Sequence, residues 1–500
     1  MASKMFMGDM PEIMEIVLNN LSNELYSLYS CALVSRHWCK MSIPFLWQDP
    51  FSSCQDPLFI SQYFSSLDEN EKFVLSECGI NVKFPKTLFN YAKFLKFLDL
   101  TSLETEVGKW IDSQFDSSIP ITSSIYRITN LLFKLFVDSG ATLHKLDLYF
   151  SNYEINPEIF YSLGRNEQFF SRLQDLSMGG ISDFNIESVT ALLEILAKNT
   201  TKINVLKLED FCPNYEPRLL HALIRIIKSQ EQLRQFSLIG VFEYLTEFHG
   251  IISSLESQNE SLHEVIIERC TCNTEFKVLM NCKNLGILRI YDCGNLNILE
   301  ASLNTLDITC YPIYASSIVP LLKKSGTLLQ RLSLVSTYEP TREKSILLET
   351  LKSFCPNITY LNLTNFEFST QFFDLIGNLQ KLQFLTLWNF NEILENEPKT
   401  LVMQFAKQLP LTLQYIDIRN SCLRSYIDIL LSNCYAPLKY LLIDRLDDEK
   451  EAKALIEFCI RVSSLNYVGI VKWLNLDDNI KKNVEKYVPL IPWNRIAVNC

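Results

Sequence analysis

One short phrase constrains this chain more than anything else: an aliphatic residue, two variable residues, an aliphatic, one variable residue, an aliphatic. It occurs fourteen times, with one Phe and one Met standing in. The first five are Leu95/Leu98/Leu100, Leu143/Leu146/Leu148, Leu173/Leu176/Met178, Ile203/Leu206/Leu208 and Leu233/Phe236/Leu238. The next five are Leu262/Val265/Ile267, Leu285/Leu288/Ile290, Leu303/Leu306/Ile308, Leu329/Leu332/Leu334 and Ile358/Leu361/Leu363. The last four are Leu382/Leu385/Leu387, Leu413/Ile416/Ile418, Leu438/Leu441/Ile443 and Leu465/Val468/Ile470. Side chains alternate along a strand, so the aliphatics share one side and the residues between them take the other. A unit this short cannot bury its apolar side alone, so successive units must stack. Leu143, Leu173, Ile203 and Leu233 step by thirty residues, while later steps run from eighteen (Leu285 to Leu303) to thirty-one (Leu382 to Leu413). The forty-eight residues from Leu95 to Leu143 leave room for a degenerate unit or an insertion.

Between phrases the apolar period changes to that of a helix. Val189, Leu192, Leu193 and Leu196 form one such stripe, and Leu220, Leu223, Ile224 and Ile227 another. Each unit is therefore expected to be a short strand followed by a helix. Three residues beyond the third aliphatic stand Cys270 and Cys293, with Phe366 and Phe390 at that position in other units and Cys212 and Cys422 one place further on. This pattern resembles the leucine-rich repeat, and in part its cysteine-containing subfamily. The resemblance implies an α/β solenoid over residues 91–472, with parallel strands on a concave face that binds other proteins and helices on the convex side. Residues 473–500 lack the phrase; Pro489, Pro492 and the charged run from Asp477 to Glu485 suit a C-terminal cap.

Composition narrows the function. The chain has 500 residues, is 48% hydrophobic and has a mean hydropathy of +0.07, enough to bury a large core. The net charge of −11 is spread over both signs with no basic patch, which gives nucleic acid no footing. No apolar run approaches the roughly 20 residues that span a bilayer. The first residues lack the apolar run of a signal peptide, so the fifteen cysteines are expected to be reduced core thiols in the cytosol or nucleus. Cys270, Cys272, Cys282 and Cys293 lie close together, but two are explained by repeat position and zinc sites show tighter pairs. None of His37, His144, His221, His249 and His263 sits in a nucleophile or metal signature, and no Gly-rich phosphate loop occurs. No catalytic residue, metal or cofactor is expected.

The first fifty residues differ in kind. Asp9 and Glu12 suit a capping box, followed by Ile13, Ile16, Val17 and Leu21. A second helical stripe carries Leu25, Leu28, Tyr29, Ala32 and Leu33. Then come Val34-Ser35-Arg36-His37-Trp38 and a stop near Pro44 and Trp47. So short a segment needs a partner to cover its apolar residues. Met10-Pro11-Glu12-Ile13, Leu21, Leu33-Val34-Ser35-Arg36-His37-Trp38 and Trp47 resemble the F-box over residues 8–50. Pro11 directly precedes Glu12, one place later than in that family, and Met10 replaces Leu. Residues 51–90, rich in Phe, read as a linking segment too aromatic for a flexible tether.

An F-box followed by leucine-rich repeats is similar to the substrate receptors of Skp–cullin–F-box ubiquitin ligases, including the expanded fungal families. The resemblance implies a non-catalytic subunit that docks on a Skp-family adaptor, and through it a cullin, by Met10, Pro11, Ile13, Val17, Leu21, Leu33, Val34 and Trp38. Trp38 and Trp47 serve equally as anchors of a local core. A protein substrate is expected on the strand face. There the residue before the second aliphatic is aromatic in five consecutive units, Tyr360, Phe384, Tyr415, Tyr440 and Tyr467, with Trp388 and Arg419 beside the row and Asp444 at its flank. Two readings of that row stand, a binding stripe and rings that merely cover the sheet. The alternative for the whole chain is a repeat scaffold or inhibitor that acts without a ligase.

Overall fold

The computed structural model describes residues 11–498 apart from 23, 53–56, 81–83, 85, 115–120, 151–154, 182–185, 242–244, 300, 311–312, 337–340, 389–397, 447–448 and 472–477. Asp9, Met10 and Phe390 therefore lie outside the described residues. The chain divides into two compact units, residues 1–241 with 248–261, and residues 242–247 with 262–500.

The first unit opens with three helices, α1 (Pro11–Asn20), α2 (Leu25–Ala32) and α3 (Arg36–Leu46). Ser35 is the reason α3 starts where it does: its hydroxyl accepts the Trp38 N–H at 3.2 Å and satisfies one of the orphan donors of the first turn. Met14, Leu18, Leu28, Trp38 and Leu46 form the core of the three helices. Trp47 ties them to the linking segment, stacking on Tyr91 at 4.0 Å and meeting the edge of Tyr63 at 5.3 Å. The described residues of that segment pack on these rings, and Trp110 donates from Nε1 to Ser61 Oγ at 2.9 Å. Strands β1 (Phe97–Asp99), β2 (Lys145–Tyr149), β3 (Asp175–Gly179), β4 (Val205–Phe211) and β5 (Gln235–Gly240) run parallel in chain order. The long step between β1 and β2 is an insertion of two helices, Leu100–Gln114 and Ile121–Asp138.

The second unit carries β6 (Glu264–Glu268), β7 (Ile287–Tyr291), β8 (Thr305–Cys310), β9 (Arg331–Ser336) and β10 (Tyr360–Thr364), then β11 (Phe384–Trp388), β12 (Tyr415–Asp417), β13 (Tyr440–Ile443), β14 (Tyr467–Ile470) and β15 (Leu490–Pro492). Each pairs with the next in parallel, and the second aliphatic of each phrase faces its counterpart: Val265, Leu288, Leu306, Leu332, Leu361, Leu385, Ile416, Leu441 and Val468. Leu490 extends this column, so the C-terminal segment that lacks the phrase supplies a fifteenth strand. All the aliphatics of the fourteen phrases are buried. At about 1.5–3 kcal/mol for a fully buried aliphatic, these columns dominate the stability of both units. The fold is thus a parallel α/β stack of leucine-rich repeats.

The expected helix after every strand is not found in the short units. Between β6 and β7 the connection is a 3₁₀ helix, Thr274–Asn281, and between β7 and β8 a single 3₁₀ turn, Leu296–Ile298. The eighteen-residue step leaves little chain for an α-helix and two turns, but length alone does not decide: the twenty-nine-residue step from Leu233 to Leu262 carries a 3₁₀ helix, Ser253–Gln258, and the twenty-four-residue step from Ile358 to Leu382 an α-helix, Thr370–Asn378. Another regularity sits two residues past the third aliphatic. Gly180, Asp210, Arg269, Asp292, Asn365 and Asn420 all have φ between 48° and 63° there. Asp and Asn tolerate this left-handed region better than most residues, so the sheet can end in a sharp turn.

Buried polar side chains close the gaps between repeats. Gln258 Oε1 accepts the Leu233 N–H at 3.1 Å, and its Nε2 donates to the carbonyls of Ile227 (3.0 Å) and Gln230 (2.9 Å). Gln230 does the same one repeat earlier, accepting the Ile203 N–H at 2.9 Å. In the second unit Ser325 accepts from Leu303. Gln258→Leu keeps the apolar volume but strands these backbone groups. It should destabilise the first unit by about 1–3 kcal/mol for each buried group left unpaired. A urea midpoint shifted by less than about 0.5 kcal/mol equivalent, the range of a neutral surface change, would refute that role.

Candidate functional site

Two surfaces stand out. The first is the outer side of the three helices. Because Met14 and Leu18 turn inward, Ile13 and Ile16 on the same helix face outward. Pro11, Tyr26, Tyr29, Leu33 and Val34 are exposed as well, Leu33 to 87%. Val17 and Leu21 are half-buried. Trp38 is different. It lies 5% exposed within the core of the three helices, so its ring faces inward rather than toward the outer side. The pattern has a simple origin: α1 and α2 carry apolar residues on both faces, and the core uses only one.

The second surface is the strand face of β10–β14. Strand register places Tyr360, Phe384, Tyr415, Tyr440 and Tyr467 side by side in one row. Tyr440 and Tyr467 stack at 6.3 Å with planes 10° apart, and Phe384 lies between Tyr360 (6.5 Å) and Tyr415 (5.7 Å). Arg419 follows β12 and makes a two-pronged ion pair with Asp417, Nε to Oδ1 at 2.9 Å and Nη2 to Oδ2 at 2.7 Å. Both residues are buried, and the fork geometry offsets part of the desolvation cost. Asp444 accepts the Asn420 N–H at 2.9 Å and holds the neighbouring turn. The guanidinium of Arg419 faces two rings, Trp388 at 5.2 Å and Trp493 at 4.1 Å.

The row is not an open stripe. Tyr415 is 0% and Tyr360 1% exposed, because a later segment of the chain lies on them. Tyr360 Oη donates to the Val498 carbonyl at 3.4 Å, and the Val498 N–H donates to Tyr415 Oη at 3.2 Å. Burial pushes the Tyr415 hydroxyl well above the usual phenol range. A segment of the same chain thus covers Tyr360 and Tyr415, while Tyr440 and Tyr467 stack on one another. Trp388 and Tyr467 stay exposed, while Phe384 and Tyr440 are half-buried.

The cysteines fill the tight turns of the short units. Cys293 donates to the Ile267 carbonyl at 3.4 Å and lies 3.5 Å from the Cys270 N–H as its acceptor. The contact with Cys270 and burial both raise the Cys293 thiol, and burial pushes Cys310 up to about 12. Since the thiolate is the reactive form, Cys272, Cys293 and Cys310 should resist iodoacetamide at pH 8 in the native protein and react on unfolding. Rapid native labelling of any of them, read by peptide mass mapping, would contradict their buried placement. Among the described residues no group of His, Cys, Asp and Glu is arranged to hold a metal, and no helix is long and apolar enough to cross a membrane.

No protein-family model matches the sequence, and no curated protein does. Among solved structures, the chain is similar to the yeast Rad7 and Elc1 complex, at 16% identity over 78% of this chain and 86% of that one, with a TM-score of 0.36. A protein from Bacteroides fragilis is similar at 14% identity, covering 58% and 74% of the two chains, with a TM-score of 0.29. The TLR13–ssRNA13 complex is similar at 13% identity, with 71% and 60% coverage and a TM-score of 0.24. The leucine-rich-repeat fold itself is defined by the strand register and burial described above.

Proposed function

We propose that this protein is the substrate-recognition subunit of a Skp–cullin–F-box type ubiquitin ligase. The observation that carries the reading is the division of α1–α3. Their core is complete, yet Ile13, Ile16, Tyr26, Tyr29, Leu33 and Val34 remain outside it. So many large apolar side chains on a small, already packed module call for a protein partner. The Leu-Val-Ser-Arg-x-Trp stretch places that surface on an F-box-like segment, which makes a Skp-family adaptor the partner. The repeats supply the other half, a strand face with recognition chemistry of its own. The chain carries out no bond-making step. It works by holding a protein beside the ubiquitin-loaded enzyme, so its contribution is effective concentration and orientation. No cofactor is needed, and the setting is the cytoplasm or nucleus.

A second reading is a repeat scaffold acting without a ligase, favoured by the fact that the β10–β14 face is built independently of the helical module. Co-expression of the full chain with a Skp-family adaptor separates the two. A stable complex on gel filtration is expected, and a cullin should join it. A chain that elutes alone removes the ligase reading and leaves the scaffold.

A further inference from the structure

Strand β15 already covers the last repeat. Residues 493–498 nevertheless turn back across the strand face. Trp493 packs over Arg419, and Val498 reaches Tyr415 in β12 and Tyr360 in β10. An end cap needs only the exposed side of the final strand, whereas this segment reaches strands three and five places back.

We propose that the β10–β14 face is a groove for a short peptide that enters on a single 3₁₀ turn, and that Trp493–Val498, whose Ile496 and Ala497 N–H groups donate back to the Trp493 carbonyl, is its built-in occupant. The partner peptide carries an aromatic residue where Trp493 sits and a small aliphatic five places later. This rests on the reading of the repeats as a protein-binding surface, and not on the helical module.

The chemistry of the contacts supports a peptide site. Two tyrosine hydroxyls read the N–H and C=O of a single residue, Val498, which any peptide backbone provides. The flat face of Arg419, held rigid by Asp417, selects an aromatic ring. Gly469 makes the approach possible: a Cβ there would lie 3.1 Å from Ile496 Cδ1, Trp493 Cα and Leu442 Cγ. Tyr360 and Tyr415 on the groove floor are fully covered, yet Trp493, Ile496, Ala497 and Val498 are only half-buried, and Asn494 and Arg495 are exposed. The occupant is thus held by few anchors. A competing peptide can add contacts to the exposed rings of Trp388 and Tyr467 beside it. Tethering gives the internal segment an effective concentration in the millimolar range, so a free peptide competes poorly until the tether's own anchor is weakened.

The probe is a fluorescein-labelled peptide with the sequence of residues 490–498, titrated into the full-length chain by anisotropy. Trp493→Ala should bind it at least about tenfold more tightly than the unaltered protein, because the groove is vacated. Adding Tyr415→Phe, which keeps the ring and removes the hydroxyl, should reverse about fivefold of that gain. A folded Trp493→Ala protein that binds the peptide no better than the unaltered one overturns the proposal and leaves the segment a structural cap. Should Trp493→Ala not fold, hydrogen exchange on the unaltered protein decides. Excess unlabelled peptide should speed exchange at Ala497 and Val498, and unchanged exchange overturns the proposal. Adaptor co-purification from the same preparations reports on the helical module separately, so failure of one reading is distinguishable from failure of the other.

Discussion

Replacing Ile13 and Leu33 together by glutamate should abolish co-purification with a Skp-family adaptor while leaving the protein folded. The two positions are 40% and 87% exposed, on α1 and directly after α2, and neither belongs to the core of the module. Substitutions at such positions usually change stability by no more than about 0.5 kcal/mol. In an interface the arithmetic is different. Each aliphatic contributes about 1.5–3 kcal/mol when fully buried, and a carboxylate in its place adds an unpaired charge to be desolvated. The combined loss of several kcal/mol is a factor of thousands in affinity. Val17 is a poorer choice because it is half-buried, so that its replacement mixes folding with binding. The measurement is adaptor recovery alongside a thermal melt. An unaltered melt with unaltered recovery means that the adaptor uses another surface.

Trp38→Ala should act through folding instead. The ring sits with Met14, Leu18, Leu28 and Leu46, and removing a large buried aromatic costs about 3–5 kcal/mol. Three helices of 10, 8 and 11 residues have little stability to lose. The module is expected to melt, taking adaptor binding with it, while the repeats of the second unit persist. Limited proteolysis reads this directly. New cleavage should appear between residues 11 and 46, and the region beyond residue 262 should remain resistant. If the helical segment of Trp38→Ala stays as resistant as before, the ring is not what holds the module together. Together the two variants separate a surface that binds from a residue that only supports it.

How much of the fold and of the candidate site is legible in the sequence depends on the range of the interaction. Where a side chain's role is set by its near neighbours, pattern is enough. The spacing of Leu361, Leu385, Ile416 and Leu441 specifies strands, and because a one-residue slip would expose every aliphatic, it specifies their register too. Ser35 caps α3 within three residues of its partner. The recurring Asn, Asp or Gly two places after the third aliphatic is a readable turn signal that the aliphatic spacing alone passes over. The paired Gln230 and Gln258 at the ends of successive helical connections are another.

Tertiary structure decides the rest. α1 offers two apolar stripes, Ile13 with Ile16 and Met14 with Leu18, and helical periodicity cannot rank them. Packing against α2 and α3 makes the second the core and leaves the first outside. The same holds for Trp38, whose motif marks its importance but not its direction. The fate of the aromatic row is the clearest case. Its alignment follows from repeat spacing, but its covering depends on Val498, 138 residues beyond Tyr360. No local period or propensity links those two positions. Only the folded path of the chain brings the backbone of one to the hydroxyl of the other.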